Sequence, residues 1–167
     1  SDRMMSNKLM DLMNEQINHE VYSSYLYLSM SAYFQSASLP GFAQWMTFQS
    51  QEEYGHGMKF FKHIIERGGQ VKLEAIDKPK SDFKNPADVM RRVLEHEEKV
   101  TSLVNRLYEL AVKEKDYPGQ VMLHWFIEEQ VEEEKNAAEI IHLLKQIGDA
   151  PAGLIMLDRQ QAARKKE

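Results

Sequence analysis

The sequence contains no cysteine. That absence excludes a disulfide framework, thiol catalysis and any thiolate-bound zinc or iron-sulfur cluster, and it fits a reducing cytoplasm. A metal here would need oxygen and nitrogen donors. Proline and glycine are scarce, at 5 and 8 of 167 residues, so strong turn signals are few and the segments between them are long. Positive charge is not in surplus: 21 Lys plus Arg stand against 26 Asp plus Glu, a formal charge of −5. This argues against nucleic acid and favours a cationic partner. No stretch approaches the roughly 18 apolar residues of a membrane span, and the N-terminus lacks a signal pattern. The expectation is a soluble, cytoplasmic protein of one domain, long enough to bury a core without staples. Ser1, Asp2 and Arg3 precede Met4 and Met5 and read as a tag remnant. Residues 1–5 are set apart with the N-terminal tail, 6–162 as the domain, and 163–167 as a charged, solvated tail.

The few turn signals place the helices. Leu39-Pro40-Gly41, Gly68-Gly69, Asn85-Pro86, Tyr117-Pro118-Gly119 and the stretch from Gly148 to Pro151 predict helices near 6–36, 41–67, 86–114 and 118–147, with a short fifth near 152–162. The first two and the next two are joined by short connections and should be antiparallel neighbours. The stretch from Gly69 to Lys84 can cross the length of a bundle. The expected fold is therefore all-α, a four-helix bundle of two hairpins joined by a long crossover, with a short C-terminal helix.

A bundle helix buries residues that recur at steps of three and four. On the second helix that face reads Phe42, Met46, Gln49, Glu53, His56, Phe60, Ile64. The third reads Met90, Val93, Glu97, Val100, Val104, Leu107. On the fourth come Leu123, Phe126, Gln130, Glu133, Ala137, Ile140, Leu144, and on the first Met10, Met13, Ile17, Glu20, Ser24, Tyr27. Each apolar seam carries acid at mid-length. Glu20, Glu53, Glu97 and Glu133 lie about 11 to 15 residues from their helix starts, or about 16 to 23 Å along the axis, so they can meet at one level. Burying several carboxylates together costs on the order of several kcal/mol for each unpaired charge. No inward Lys or Arg is at hand to neutralise them. Four acids and one imidazole, without sulfur, suit two divalent ions of hard or borderline character. The alternative is that one or two of these acids lie at the seam's edge and face water.

Di-metal carboxylate bundles place inward Glu residues on two helices and a Glu-x-x-His pair on each of the other two. The second helix supplies that pair as Glu53-Tyr54-Gly55-His56, but the fourth carries Gln130-Val131-Glu132-Glu133 instead. A further pair, Glu139 and His142, falls off the inward face and is expected in solvent.

The segments Asn18-His19-Glu20-Val21-Tyr22, Gln51-Glu52-Glu53-Tyr54-Gly55-His56, His96-Glu97 and Trp125-Phe126-Ile127-Glu128-Glu129-Gln130-Val131-Glu132-Glu133 closely resemble the non-haem ferritins of bacteria and archaea. The resemblance extends from about Ser6 through the fifth helix. It implies a ferroxidase centre with Glu20, Glu53 and His56 at one iron, Glu53 bridging to a second iron held by Glu97 and Glu133, and Gln130 beside it. It also implies a weaker third iron site from Glu52, Glu129, Glu132 and Glu133, for which the alternative is a solvated acidic face. Tyr27 and Trp125 resemble the family's aromatics beside the centre, with ordinary packing as the alternative. Fe(II), with O2 or peroxide as oxidant, would be the substrates. The chains would form a homo-oligomeric shell of twenty-four, with the fifth helix at the four-fold contacts and ferric mineral inside. Haem is not expected, because bacterioferritins carry methionine where this chain has Tyr54; the 10 methionines read as core filler. His19, His63, His96 and His124 read as surface or supporting residues, and Glu134 as solvated. The competing readings are a ferritin-like di-iron oxidase or peroxidase without storage, disfavoured by Gln130 and the lack of cysteine, and a non-catalytic bundle.

Overall fold

The structure, a computed structural model, describes residues 4–166; Ser1, Asp2 and Arg3 lie outside the described residues. Five helices follow in order: α1 (Asn7–Ser36), α2 (Pro40–Glu66), α3 (Pro86–Lys113), α4 (Tyr117–Ile147) and α5 (Pro151–Gln161). Every boundary falls within one residue of its expected place. The starts of α1, α3 and α4 are built by side chains that satisfy otherwise orphaned amides. Ser6 Oγ accepts from Leu9 N at 3.0 Å, Asn85 Oδ1 from Asp88 N at 2.8 Å, and Asp116 Oδ1 from Gly119 N at 2.8 Å. Pro40, Pro86, Pro118 and Pro151 sit in the first turns of α2 to α5, where no amide donor is needed. Gly68 ends the second helix region at a φ of +75°, which only glycine adopts freely.

Three-residue links make α1 and α2 one hairpin and α3 and α4 another, and each helix packs chiefly on its hairpin mate. The core is split into two apolar clusters. One joins Tyr27, Met30 and Phe34 to Phe42, Met46, Met90, Val93, Ala137 and Ile140; the other joins Leu9, Met13 and Ile17 to Phe60, Ile64, Val100, Val104, Leu123 and Phe126. The late part of α1 thus lies level with the early parts of α2 and α3 and the late part of α4, so α2 and α3 run parallel. Only a crossover can join them. Residues 67–85 make it without regular structure. They are fastened to α1 by Asn14 Nδ2 to Gln70 O at 3.0 Å, Lys72 N to Asn14 Oδ1 at 2.7 Å, Asn18 Nδ2 to Ala75 O at 3.1 Å and Ser29 Oγ to Lys80 O at 2.7 Å.

Two terminal contacts depart from the expected tails. Met5, which the sequence groups with the N-terminal tail, is buried in the second apolar cluster. Arg164, expected in solvent, folds back onto α2. Its Nη1 donates to Trp45 O at 3.1 Å, its guanidinium carbon lies 4.5 Å from the Trp45 ring centre, and its Nη2 meets Glu52 Oε2 at 2.7 Å. The fifth helix docks through Asp158, fully buried, whose Oδ1 accepts from Phe42 N at 2.9 Å. Gly41 makes that approach possible, since a Cβ there would stand 1.7 Å from Asp158 O.

Candidate metal centre

Between the two apolar clusters lies a polar layer to which all four long helices contribute. Glu20 comes from α1, Glu53 and His56 from α2, Glu97 from α3, and Gln130 and Glu133 from α4; all six are buried, and Glu20, Glu53 and Glu97 have no exposed surface. The three-residue spacing of Glu53 and His56 brings His56 Nδ1 within 3.2 Å of Glu53 Oε2, and Glu20 Oε2 lies 3.8 Å from the same nitrogen. Donor atoms of Glu20, Glu53 and His56 all fall within 4.8 Å of one another, as do those of Glu53, Glu97 and Glu133. Glu53 belongs to both groups. Two adjoining pockets with one shared carboxylate are thus in place, each with oxygen or mixed oxygen and nitrogen donors.

Neutral donors hold the carboxylates in this arrangement. Gln16 Nε2 donates to Glu20 Oε1 at 3.1 Å, and Gln49 Nε2 to Glu53 Oε1 at 3.0 Å and also to Glu133. Gln130 Nε2 reaches Glu97 Oε2, the Glu97 carbonyl and Thr101 Oγ1, each at 3.1 Å. The Tyr27 hydroxyl donates to Glu97 Oε1. Thr101 in turn donates to Glu134, so Glu134 is tied to α3 instead of standing free in solvent. Gln16, Gln49 and Thr101 are the supporting residues that sequence reading did not assign. Gln49 was visible as a polar residue in the seam, and Gln16 carries the signal of a four-residue step from Glu20.

Charge in this layer is strongly unfavourable without cations. Burial first, then the charges of Glu97, Glu20 and Glu133, push the Glu53 carboxyl well above its ordinary range. Glu97 is pushed up to about 7, chiefly by burial, with hydrogen bonds from Tyr27 and Gln130 opposing the rise. Burial and then Glu97 and Glu52 raise Glu133. Burial followed by Glu97 raises the Tyr27 phenol, so it stays a donor. Glu20 Oε2 and Gln130 Oε1 are buried with no hydrogen-bond partner, which is costly for polar atoms. A cation in each pocket would neutralise the acids and give the Glu20 oxygen a partner, so the donor set fits a pair of divalent ions.

The remaining expected residues are placed differently. Glu139 and His142 are exposed, as anticipated. Glu52 and Glu129 are half-buried on the flank of the layer and Glu132 is exposed. Among the described residues these three form no group as close as the two pockets. Glu52 and Glu129 are near enough to help raise Glu133, and Glu52 is engaged by Arg164. The Trp125 ring centre stands 5.2 Å from that of His56, nearly perpendicular, with Lys59 Nζ 3.2 Å from the Trp125 ring centre. His96 is mostly buried: its Nε2 lies 2.6 Å from Ser23 Oγ, and its ring stands perpendicular to that of Tyr27 with the ring centres 5.8 Å apart. Burial lowers it to about 4.

A four-helix bundle whose core is interrupted by two carboxylate pockets sharing one glutamate defines the ferritin-like class of di-metal bundle proteins. Residues 10–147 match the Ferritin family, described as a ferritin-like domain. A bacterial non-heme ferritin of Bacteroides fragilis is 45% identical over 161 residues, covering 96% of this chain and 100% of that protein. One from Staphylococcus haemolyticus is 37% identical, covering 96% and 97%. A solved open pore ferritin from the archaeon Archaeoglobus fulgidus superposes with a TM-score of 0.96 at 43% identity, over 99% of this chain and 100% of that one. The chain belongs to the ferritin family.

Proposed function

We propose that this iron-storage ferritin subunit oxidises Fe(II) at the two-pocket centre. Glu20, Glu53 and His56 hold one ion; Glu53, Glu97 and Glu133 hold the other; Gln130, whose Nε2 donates to Glu97 Oε2, stands beside the second. The observation that carries this reading is Glu53, fully buried and common to both groups. A shared carboxylate keeps two Fe(II) ions close enough to give two electrons together. With O2 and two protons the products are two Fe(III) and one H2O2; with H2O2 and two protons they are two Fe(III) and two waters. Either route avoids one-electron oxygen radicals, and the protein supplies geometry and charge. Tyr27, hydrogen-bonded to Glu97, and Trp125, against His56, would pass an electron.

Ferric product then leaves toward the interior of a shell of chains. Glu52, Glu129 and Glu132, less buried than the central acids, form with Glu133 a weaker third site on that route, because water screens their attraction for a cation. Assembly accounts for exposed apolar side chains such as Leu73, Tyr117, Val121, Val131 and Met156, which a lone chain would leave in water. The cytoplasm, where reducing conditions keep iron as Fe(II), is the compartment this chemistry suits. No helix among the described residues is long and apolar enough to cross a membrane.

The test is aerobic addition of Fe(II) while ferric absorbance and O2 consumption are followed together. Wild type should show a fast phase that Glu53→Ala abolishes without loss of helix content, since the substitution also removes a repulsive charge. An unchanged initial rate in that variant defeats the assignment. Elution of the intact protein only as a monomer defeats the shell.

A further inference from the structure

The C-terminal segment beyond α5 turns back so that one side chain alone enters the bundle surface. Ala162, Ala163, Lys165 and Lys166 are exposed, whereas the Arg164 side chain is 16% exposed and the Glu52 side chain it meets is 14% exposed. The guanidinium is fixed three ways: by the 2.7 Å ion pair with Glu52, by the bond to the Trp45 carbonyl, and by its place over the Trp45 ring. Planar contact on an aromatic face and directed hydrogen bonds are what an arginine fork provides and an ammonium does not.

Its position matters because of what Glu52 adjoins. Glu52 immediately precedes Glu53, the carboxylate common to both pockets, and its charge acts on Glu133 in the second pocket together with that of Glu129. Glu52 and Glu129 thus both adjoin Glu133 at the second pocket, and of these two flanking carboxylates Glu52 already holds a cation. We propose that Arg164 is a tethered counter-ion standing in for metal at Glu52, so that a divalent ion moving between the centre and this flank must displace the C-terminal arm. The inference rests on the third-site reading given above. It adds that the occupancy of the site is set by competition with a residue 112 positions away in sequence. When iron leaves Glu52, the guanidinium returns, and the carboxylate is never left bare beside Glu53 and Glu133. Arg164 is in this sense a positioning residue, acting on iron through Glu52.

A purely structural arginine and a competing one predict opposite signs. Removing a structural contact loosens the site and weakens metal binding; removing a competitor tightens it. The assembled full-length protein is titrated anaerobically with Zn(II), a redox-inert probe, as wild type, Arg164→Gln, Arg164→Met and Arg164→Lys, and crystals of each are examined by diffraction at the zinc edge. The expected result is a third zinc peak beside Glu52 and Glu129. It should bind roughly tenfold tighter in the Gln and Met variants, the scale set by one charge-assisted hydrogen bond. Arg164→Lys, which keeps the charge, should return toward wild type. A third peak of equal or weaker affinity in the neutral variants overturns the competition while leaving the third site standing. No third peak in any protein removes the third site and this inference with it. Met preserves packing on Trp45, so a folding defect confined to Arg164→Gln does not hide the answer.

Discussion

The Tyr27 hydroxyl on α1 donates its hydrogen bond to Glu97 on α3. The bond crosses from one hairpin to the other and favours the ionised form of a carboxyl that burial otherwise drives up. Burial and then Glu97 raise the phenol's own pKa, so the donor resists loss of its proton as pH rises.

Tyr27→Phe should therefore raise Glu97 further, above about 7. Metal binding requires the carboxylate and so competes with its proton. The variant should bind Fe(II) anaerobically about tenfold more weakly at pH 6.5, yet within about threefold of wild type at pH 8.5, since a carboxyl that holds its proton ten times more tightly yields it to metal ten times less readily until the pH exceeds its midpoint. Titration at the two pH values checks this. An equal loss at both would mean that Tyr27 acts on metal by some means other than this proton.

Metal-free protein should pay for its buried acids as pH rises. Glu97 has a folded value of about 7 against an ordinary 4.5. Its contribution to stability is complete below about pH 4.5 and is lost as pH climbs through 7, a loss of about 3 kcal/mol by linkage. Glu53 and Glu133 are shifted in the same direction. His96, lowered from 6.5 to about 4, works oppositely: its contribution is complete above 6.5 and disappears as pH falls through 4. Wild type alone blends the two, so Glu97→Gln is the informative comparison. In chelator-treated protein the variant's Tm advantage should widen from pH 4.5 to pH 8, and Zn(II) should reverse the order. A difference that does not vary with pH would contradict the raised Glu97 carboxyl.

Gly41→Ala tests how the fifth helix is held. A Cβ 1.7 Å from Asp158 O cannot be accommodated without moving backbone, so α5 should separate from α2 and Phe42 N should lose its carboxylate acceptor. The four-helix part should stay folded, since its two apolar clusters involve α5 only through Leu157 and Leu154. Limited proteolysis should cut near Gly148 more readily than in wild type, and size exclusion should show weakened or altered assembly, as should truncation after Gly148. Wild-type resistance and elution together would show that α5 docks without this contact.

The four helices and the buried acidic layer were legible in the sequence because both obey local rules. A helix turns once every 3.6 residues, so Glu20, Glu53, Glu97 and Glu133 show themselves as interruptions of an apolar repeat, and His56 by its step from Glu53. Pairing of one element with a distant one follows no such rule. Arg164 with Glu52, and Asp158 with Phe42, depend on where α5 lands, which its own short sequence does not encode. Glu134 failed for a related reason: a run of acids reads as a wet face, and only the neighbouring helix reveals Thr101 as its partner. The centre's glutamines were half visible, since Gln49 and Gln130 lie in seams while Gln16 sits beside one.

The crossover along α1 also has a mechanical meaning. Each hairpin carries half of the centre: Glu20, Glu53 and His56 on the first, Glu97, Gln130 and Glu133 on the second. Sliding one hairpin against the other by a single residue would shift the halves by about 1.5 Å, enough to pull the donor atoms of the second pocket away from Glu53. Apolar packing resists such a slide poorly, because greasy side chains can trade neighbours. The bonds from Asn14, Asn18 and Ser29 to the backbone at Gln70, Lys72, Ala75 and Lys80 are directional and tolerate no such trade. The segment without regular structure is thus the ruler of the molecule, fastened at intervals along one helix so that carboxylates from opposite halves arrive at the same height.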